Sequence, residues 1–361
     1  MTTESPYPEL KKTHIAERVG RPWRDNRPPA AAPVWSVIEG YTSYWMLVAA
    51  IDLGVFDSIA EHGPATGDEL AVRLGACSSH LVALLDALVA LGFLDRMHER
   101  FELTDVGERY LTSMGPATMA ALVAVAPGPH ANWIDLADTV RHGSPRSPVD
   151  DDAVAFYRPL VRATFPTQHR VAARTAALLG WARQPGAPRV LDLGAGGAPW
   201  AIALLQQHPA ASAVVNDLPG VVEEAVARAV AAGVDDRVEV RSGNYYELDL
   251  DDGAFDVVVL GHVCRAEGED GSRRLIERAW SVLRSGGRLL LADYFLDNSR
   301  RHNVFGALMG VTMIAATERG RRLTHEDAHR WLRSAGFRSI RLLEPIRFNQ
   351  LYVATKSEVV T

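Results

Sequence analysis

The chain has 361 residues, enough to bury a sizeable core and to form about two domains at roughly 100–200 residues each. Its 38 Lys and Arg against 44 Asp and Glu give a net charge of -6, so no global field draws it to nucleic acid or to an anionic membrane. No apolar run approaches the ~20 residues of a membrane helix, the N-terminus has no apolar signal core, and Cys77 and Cys264 alone cannot form a disulfide framework; a cytoplasmic protein is the expectation.

Residues 1–30 are polar, with Pro6, Pro8, Pro22, Pro28 and Pro29 among basic residues, the composition of an arm that orders only on a partner. From Pro33 to about Ile59 apolar residues recur at helical spacing, among them Val37, Ile38, Tyr41, Tyr44, Trp45, Val48 and Leu53. Such helices are too apolar all round to stand alone, and burial against another subunit is expected. Thr66-Gly-Asp-Glu69 has the spacing of a capping box that opens a helix through Leu74. A second helix follows from about Ser78 to Leu91, with Gly92 as its C-cap, and Phe101–Leu103 reads as a strand. Over residues 31–115 this is a winged-helix pattern, which raises DNA binding as an alternative. Charge argues against it: Ser78–Leu88, the would-be recognition helix, has no Lys or Arg, and residues 66–111 hold four Arg against eight acidic residues. Packing or dimerisation is the expected use of this segment. Residues 116–185 are again helical in pattern, chiefly Asn132–Ala137 and Ala153–Leu179, with a surface turn at Gly143–Pro148. After a hinge at Arg183–Pro188, residues 186–361 alternate strand and helix.

That last segment opens on Arg189-Val-Leu-Asp-Leu-Gly-Ala-Gly-Gly-Ala-Pro-Trp200: a strand, a glycine turn over Gly194–Ala198, and a helix start. Asp192 decides what such a loop holds. A carboxylate at the strand end, near the mouth of the site, would repel the phosphates that a helix N-terminus attracts. S-adenosylmethionine (SAM) carries a sulfonium and an ammonium and no phosphate, and suits it. The loop also lacks the Gly-Lys-Ser/Thr ending of a P-loop. The pattern continues as βα units, which implies a mainly parallel sheet with ligand loops at the strands' carboxyl ends. Strand two, Ala213–Val215, ends at Asn216-Asp217, where an acidic residue can accept from ribose hydroxyls or cap the following helix. Strand three, Val238–Val240, leads to Gly243-Asn244-Tyr245-Tyr246. There Asn244 can accept from an adenine amino group with Tyr245 against the ring, or serve as a turn residue. Strand four, Phe255–Leu260, is a buried central strand that delivers Gly261-His262-Val-Cys264-Arg265 to the site. A helix over Leu275–Leu283 stops at Ser285-Gly286-Gly287, and strand five spans Arg288–Ala292. A helix closing at Trp331–Gly336 and two apolar stretches, Ile340–Leu343 and Leu351–Val353, complete the sheet.

From about residue 33 to 356 the chain resembles the SAM-dependent small-molecule O-methyltransferases with an N-terminal dimerisation domain, a family of plant and bacterial secondary-metabolite enzymes. The resemblance rests on Asp192-Leu-Gly-Ala-Gly196, Asp217-Leu-Pro219, Gly243-Asn-Tyr-Tyr246, Leu283-Arg-Ser-Gly-Gly287, Arg288-Leu-Leu-Leu-Ala-Asp293 and Ala335-Gly-Phe337, with Leu103-Thr-Asp-Val-Gly107 and Trp133–Gly143 in the N-terminal half. It implies a Rossmann-like α/β methyltransferase domain with a mainly parallel seven-stranded sheet, preceded by a mostly helical winged-helix dimerisation domain. It also implies a homodimer, a small-molecule acceptor and S-adenosyl-L-homocysteine (SAH) as product. Gly194 and Gly196 would meet the methionine side of SAM, and Asp217 with Leu218 the ribose. Trp133, Phe156, Leu160, Phe165, Phe305, Met309 and Met313 would line a pocket for an aromatic or polyketide-like acceptor.

Three positions depart from the family's pattern. Asn244 stands where it usually has Asp, a mild change because both accept hydrogen bonds. Arg265 stands at its general-base His, and Arg322, within Gly320-Arg-Arg-Leu-Thr324, at its supporting acid. Arginine cannot act as a base at neutral pH. Arg265 is then either a clamp for an anionic acceptor or a structural ion pair with Glu267, Glu269 or Asp270. His262 is either a relocated base or a satisfied buried imidazole, and Cys264 a nucleophile or a buried free thiol. A metal on His262 with His302 or His325 would lack the usual close ligand spacing, and none is expected. The chemistries left open are O-methylation of an acidic or pre-ionised oxygen, C-methylation of an electron-rich carbon, and a non-methylating, hydroxylase- or decarboxylase-like use of SAM.

Overall fold

The computed structural model describes residues 31–357 except 116, 126–129, 298, 300–302, 347 and 348; the polar stretch 1–30 and His302 lie outside the described residues. The chain divides into one unit through Ala124 and a second from Val125.

In the first unit the apolar N-terminal run forms two helices, α1 (Ala32–Asp52) and α2 (Val55–His62), parted at Gly54, whose φ of 75° favours glycine. Only Ala50 of α1 is buried, while Val37, Ile38, Tyr41 and Trp45 stay exposed on this single chain. There follow β1 (Ala65–Thr66), α3 (Gly67–Leu74), α4 (Ser78–Ala90), β2 (Leu94–Met97), β3 (Arg100–Leu103) and α5 (Asp105–Leu111). The strands pair antiparallel in the order β1-β3-β2. β2 is unmarked in the sequence because three of its four residues are exposed; the hairpin turns on His98 and Glu99, both at positive φ, as a twist-matched two-residue turn requires. Phe56, Leu70, Leu85, Leu88, Leu94 and Phe101 form the unit's core. The capping box is complete: the Glu69 amide donates to Thr66 Oγ1 at 3.2 Å and the Thr66 amide to Glu69 Oε2 at 2.8 Å. A short helix, α6 (Ala120–Val125), lies where the two units divide.

The second unit starts with α7 (His130–Ile134), α8 (Leu136–His142) and the long α9 (Ala153–Leu178). Then come β4 (Arg189–Leu193), α10 (Pro199–Gln207), β5 (Ser212–Asp217), α11 (Glu223–Ala232), β6 (Val238–Ser242), β7 (Phe255–Gly261), α12 (Cys264–Val282) and β8 (Leu283–Asp293). The chain ends in β9 (Phe295–Leu296), α13 (Val304–Ala316), β10 (Leu323–Thr324), α14 (His325–Ser334), β11 (Ser339–Ile346) and β12 (Asn349–Thr355). The main sheet has seven strands in the order β11-β12-β8-β7-β4-β5-β6. It is parallel from β8 to β6, with β12 antiparallel to both β8 and β11. This is the mainly parallel seven-stranded sheet expected from the sequence. No single helix among the described residues is long and apolar enough to cross a membrane.

Two elements begin earlier than the sequence predicts. α12 starts at Cys264 rather than near Leu275, with a break at Gly268 (φ 68°, ψ -166°); two glycines and a run of charges hide its first turns. β8 starts at Leu283, so Ser285-Gly286-Gly287 lies inside the strand, at the irregularity where Phe255 pairs with Leu283 and Val257 with Arg288.

Thr66→Ala removes one half of the capping box, and it is expected to lower stability by about 1 kcal/mol. Urea denaturation measures this, and an unchanged midpoint contradicts it.

Candidate functional site

β4 is flanked by β5 on one side and β7 on the other, so the chain's path across the sheet reverses there. At such a point the carboxyl ends of parallel strands open a ligand crevice. The glycine loop leaves β4 with Gly194 at φ 65° and Gly196 at φ 58°. It is tied to β5: the Ala195 amide donates to the Asn216 carbonyl at 2.8 Å and the Gly196 amide to Asp217 Oδ2 at 2.7 Å. Asp217 Oδ1 accepts from the Leu218 amide at 2.7 Å, and burial pushes the carboxyl above its usual range. α9 crosses the loop. A Cβ at Gly196 would stand 2.8 Å from Val161 Cγ1, and one at Gly197 would stand 3.2 Å from Phe165 Cδ2. Glycine is therefore needed here for helix packing as well as for backbone angle.

Asp192 lies beneath the loop, 1% exposed, and not at the mouth where the sequence reading puts it. Its Oδ2 accepts from the Ala201 amide at 3.2 Å, anchoring the first turn of α10, and burial pushes its pKa up to about 7. Among the described residues neither Asp192 nor Asp217 has a cationic partner.

Asn244 is exposed and makes a local turn: its Oδ1 accepts from the Tyr246 amide at 3.0 Å. Tyr245 is half-buried, with Cε1 3.8 Å from where a Gly194 Cβ would lie. Its hydroxyl donates to Glu267 Oε1, and the Tyr246 hydroxyl lies 2.9 Å from Glu267 Oε2.

His262 and Arg265 meet at a third carboxylate, Asp293, where β8 ends. Asp293 is fully buried. Its Oδ1 accepts from Arg265 Nη1 at 3.1 Å and from the Tyr294 amide at 2.9 Å, and its Oδ2 from the Arg265 amide at 3.2 Å. The guanidinium beside it holds the Asp293 carboxyl below the usual carboxylate range despite burial. This corrects the ion-pair expectation: Arg265 pairs with Asp293, whereas Glu269 meets Arg330 and Glu267 meets Arg319 and the two tyrosines. The Arg265 guanidinium also lies 5.3 Å from the Tyr294 ring centroid.

His262 sits at φ 65°, a left-handed backbone uncommon outside glycine. Its Nδ1 is 3.9 Å from Asp293 Oδ1, beyond hydrogen-bond reach, and its ring lies 4.8 Å from that of Tyr294. Among the described residues neither ring nitrogen has a hydrogen-bond partner, so it is buried but not satisfied. Burial lowers its pKa below that of an ordinary imidazole. Gln168 of α9 donates to the Tyr294 hydroxyl at 3.1 Å, leaving its own Oε1 buried without a partner. Cys264 is buried, which raises its thiol pKa and keeps it protonated. Arg322 is exposed and packs beside Gly310 of α13.

The apolar residues fall into two groups. Phe156, Leu160 and Phe165 lie on α9, with Phe165 against the glycine loop and 4.6 Å from the Arg228 guanidinium. Trp133 on α7 and Phe305, Met309 and Met313 on α13 lie on helices that pack together, and Phe305 stands edge-on to Tyr294 at 4.8 Å. His325 is engaged by Tyr352, 2.8 Å from its Nδ1. Among the described residues no three His, Cys, Asp or Glu side chains gather as a metal would require. Sequence reasoning did not single out Asp293, Gln168 or Tyr157, whose phenol is pushed up to about 12 by burial on α9. The signal for Asp293 was available: like Asp192 and Asp217, it is an acid at the end of an apolar strand.

Comparison with known proteins agrees with this architecture. A sequence profile of the O-methyltransferase domain matches residues 133–338, and that of the O-methyltransferase dimerisation domain matches residues 35–113. The chain is 30% identical to 3-hydroxy-5-methyl-1-naphthoate 3-O-methyltransferase of Streptomyces sahachiroi, covering 82% of this chain and 86% of the relative. It is 26% identical to the tetracenomycin polyketide synthesis 8-O-methyl transferase of Streptomyces glaucescens, covering 82% and 88%. The crystal structure of human N-acetylserotonin methyltransferase in complex with SAM superposes with a TM-score of 0.81 at 24% identity, covering 93% of this chain and 100% of that one.

The folded Asp192 pKa of about 7 exceeds the ordinary value of 3.8, so the folded chain holds this proton more tightly than the unfolded one. Stability from this group is full below the ordinary value and is lost as pH rises toward 7. Asp192→Asn cannot ionise. Its denaturation midpoint is expected to fall less than that of wild type between about pH 5 and 7.5, and an equal fall contradicts this.

Proposed function

The chain belongs to the O-methyltransferase family with an N-terminal dimerisation domain, and from that premise we propose that it methylates an oxygen of a small aromatic or polyketide-like acceptor, using SAM and releasing SAH, with His262 taking the acceptor's proton. The single observation that carries this reading is His262 itself: a buried imidazole on a left-handed backbone, with both ring nitrogens unpartnered among the described residues and a buried carboxylate 3.9 Å from Nδ1.

The residues present fit the cofactor. Two carboxyls without cationic partners among the described residues, the buried Asp192 and the partly buried Asp217, suit a cationic, hydroxyl-bearing ligand. Bound SAM supplies an electrophilic methyl group on a sulfonium, open to in-line attack. Each Asp217 oxygen gives one lone pair to a backbone amide and keeps another for a ribose hydroxyl. Gly194 and Gly196 would admit the methionine side of the cofactor, Leu218 would flank the ribose, and Tyr245 with Asn244 would take the adenine. Arg265 stands where the family resemblance implies a base histidine, and the proposed base, His262, lies three residues before it, just past the end of β7.

Lowered below 6.5 by burial, His262 is neutral at physiological pH and free to accept a proton. Asp293, 3.9 Å from Nδ1, makes no hydrogen bond to it, but its charge on that side of the ring favours the tautomer with the proton on Nδ1 and leaves Nε2 for the acceptor. Arg265 is a positioning residue in this scheme. With its charge committed to Asp293, it fixes the carboxylate that orients His262 and does not clamp an acceptor anion. Trp133, Phe156, Leu160, Phe165, Phe305, Met309 and Met313 supply the apolar walls, and the hydroxynaphthoate and polyketide substrates named for two relatives support that acceptor class. The exposed apolar face of α1, within the segment matched to the dimerisation domain, supports a homodimer.

With methyl-labelled SAM and a hydroxynaphthoate probe, His262→Asn is expected to lower kcat by about 10²–10⁴-fold while SAH affinity is kept. The active form is the neutral imidazole, so the wild-type rate should be flat above about pH 6.5 and fall only below it, as His262 protonates. A folded His262→Asn enzyme with the full rate, or a rate that climbs tenfold per pH unit through neutrality, rejects His262 as the base.

A further inference from the structure

Glu267 takes no part in the reaction described above, yet its surroundings are built around it. It is 9% exposed at the start of α12. It receives the Tyr245 hydroxyl on Oε1 and faces the Tyr246 hydroxyl with Oε2 at 2.9 Å. The backbone makes room for this cluster. A Cβ at Gly271 would stand 2.7 Å from Glu267 Cβ and 2.9 Å from the Tyr246 hydroxyl, and one at Gly268 would stand 2.6 Å from the Arg319 carbonyl. Gly268, at φ 68°, breaks α12 directly after Glu267. Its nearest cation, Arg319 Nη1 at 3.7 Å, is more than half exposed, so solvent weakens that pair and the two phenols are the main partners. Both phenols are held well above the ordinary tyrosine pKa by burial and by this carboxylate, and so remain donors.

We infer that Glu267 is a positioning residue for the cofactor: by gripping the hydroxyls of Tyr245 and Tyr246 it fixes the loop after β6 against the glycine loop after β4. The link to the glycine loop is direct. The position of a Gly194 Cβ is 3.1 Å from Val263 Cγ2 and 3.8 Å from Tyr245 Cε1, so Gly194, Val263 and Tyr245 share one contact surface. Asn244, which precedes the two tyrosines, holds only its own exposed turn. Other bonds also hold this loop, from Asn216 Nδ2 to the Gly243 carbonyl at 2.9 Å, from the Gly243 amide to the Asp217 carbonyl at 2.9 Å and between the Tyr246 hydroxyl and the Gly271 carbonyl at 3.1 Å, but it is Glu267 that takes the Tyr245 hydroxyl. A carboxylate accepting from two phenols can set the ring of Tyr245 at one angle, and a ligand packed on that ring meets a preformed wall.

The inference rests on the SAM reading above. Its test is SAH binding by calorimetry on the full chain, with kinetics on SAM and the hydroxynaphthoate probe. Glu267→Ala should weaken SAH by about tenfold, the worth of a hydrogen bond to a charged group. Tyr245→Phe, which removes only a hydroxyl, should weaken it in the same direction. The double variant should be no weaker than Glu267→Ala alone, and Glu267→Gln, which keeps one acceptor oxygen, should recover part of the loss. KM for SAM should rise while KM for the probe stays constant, a split that general destabilisation does not produce. Binding of SAH by Glu267→Ala within about twofold of wild type overturns the inference, as does the same result for Tyr245→Phe should the alanine variant not fold. Failure of the wild-type chain to bind SAH overturns the cofactor reading instead.

Discussion

A carboxylate with no solvent contact must be paired, because an isolated buried charge costs several kcal/mol or titrates away. Asp293 meets that requirement at the end of β8 by accepting from three donors, the Arg265 guanidinium and the backbone amides of Arg265 and Tyr294, with the His262 ring 3.9 Å away. The segments around this strand end depend on this one group. It fixes the start of α12, which carries Arg265 and Glu267, and it fixes the turn into Tyr294, whose ring separates His262 from Phe305. Breaking a buried pair of this kind by removing one partner costs about 3–5 kcal/mol, enough to disorder both segments. Arg265 thus has its charge committed to a buried partner.

The cofactor side is organised differently. Asp192 and Asp217 are satisfied by backbone amides alone, and each satisfies a loop in return: Asp192 the first turn of α10, Asp217 the glycine loop and its own following residue. Amide donors offset only part of the cost of burial, so both carboxyls sit above the usual carboxylate range, and a cationic ligand beside them would favour their ionised form. Positive charge at the end of β8 is cancelled by Asp293. The carboxyls that end β4 and β5 thus lack a cationic partner among the described residues, whereas the one that ends β8 is paired with Arg265.

Much of this was legible in the sequence because it is local. The capping box at Thr66, the strand and glycine turn at Asp192–Gly196, and the placing of Asp217, Asn244 and His262 at strand ends follow from spacing and periodicity over a few residues. What could not be read is long-range pairing. Arg265 was matched with acids close in sequence, whereas its partner lies 28 residues on, across a parallel strand pair. The packing of α9 on the glycine loop is long-range too, joining Val161 to Gly196 and Phe165 to Gly197. The start of α12 was hidden by Gly268 and Gly271, residues kept for the fit around Glu267 rather than for helix formation.

The proposed chemistry depends on the protonation state of the His262 ring. Nitrogen chemical shifts of imidazole-labelled protein, with the His262 signal assigned by its loss in His262→Asn, read both protonation and tautomer. A neutral ring at pH 6.5 with its proton on Nδ1, facing Asp293, is the predicted result. A ring protonated on both nitrogens at pH 7, or a neutral ring with its proton on Nε2, would contradict it.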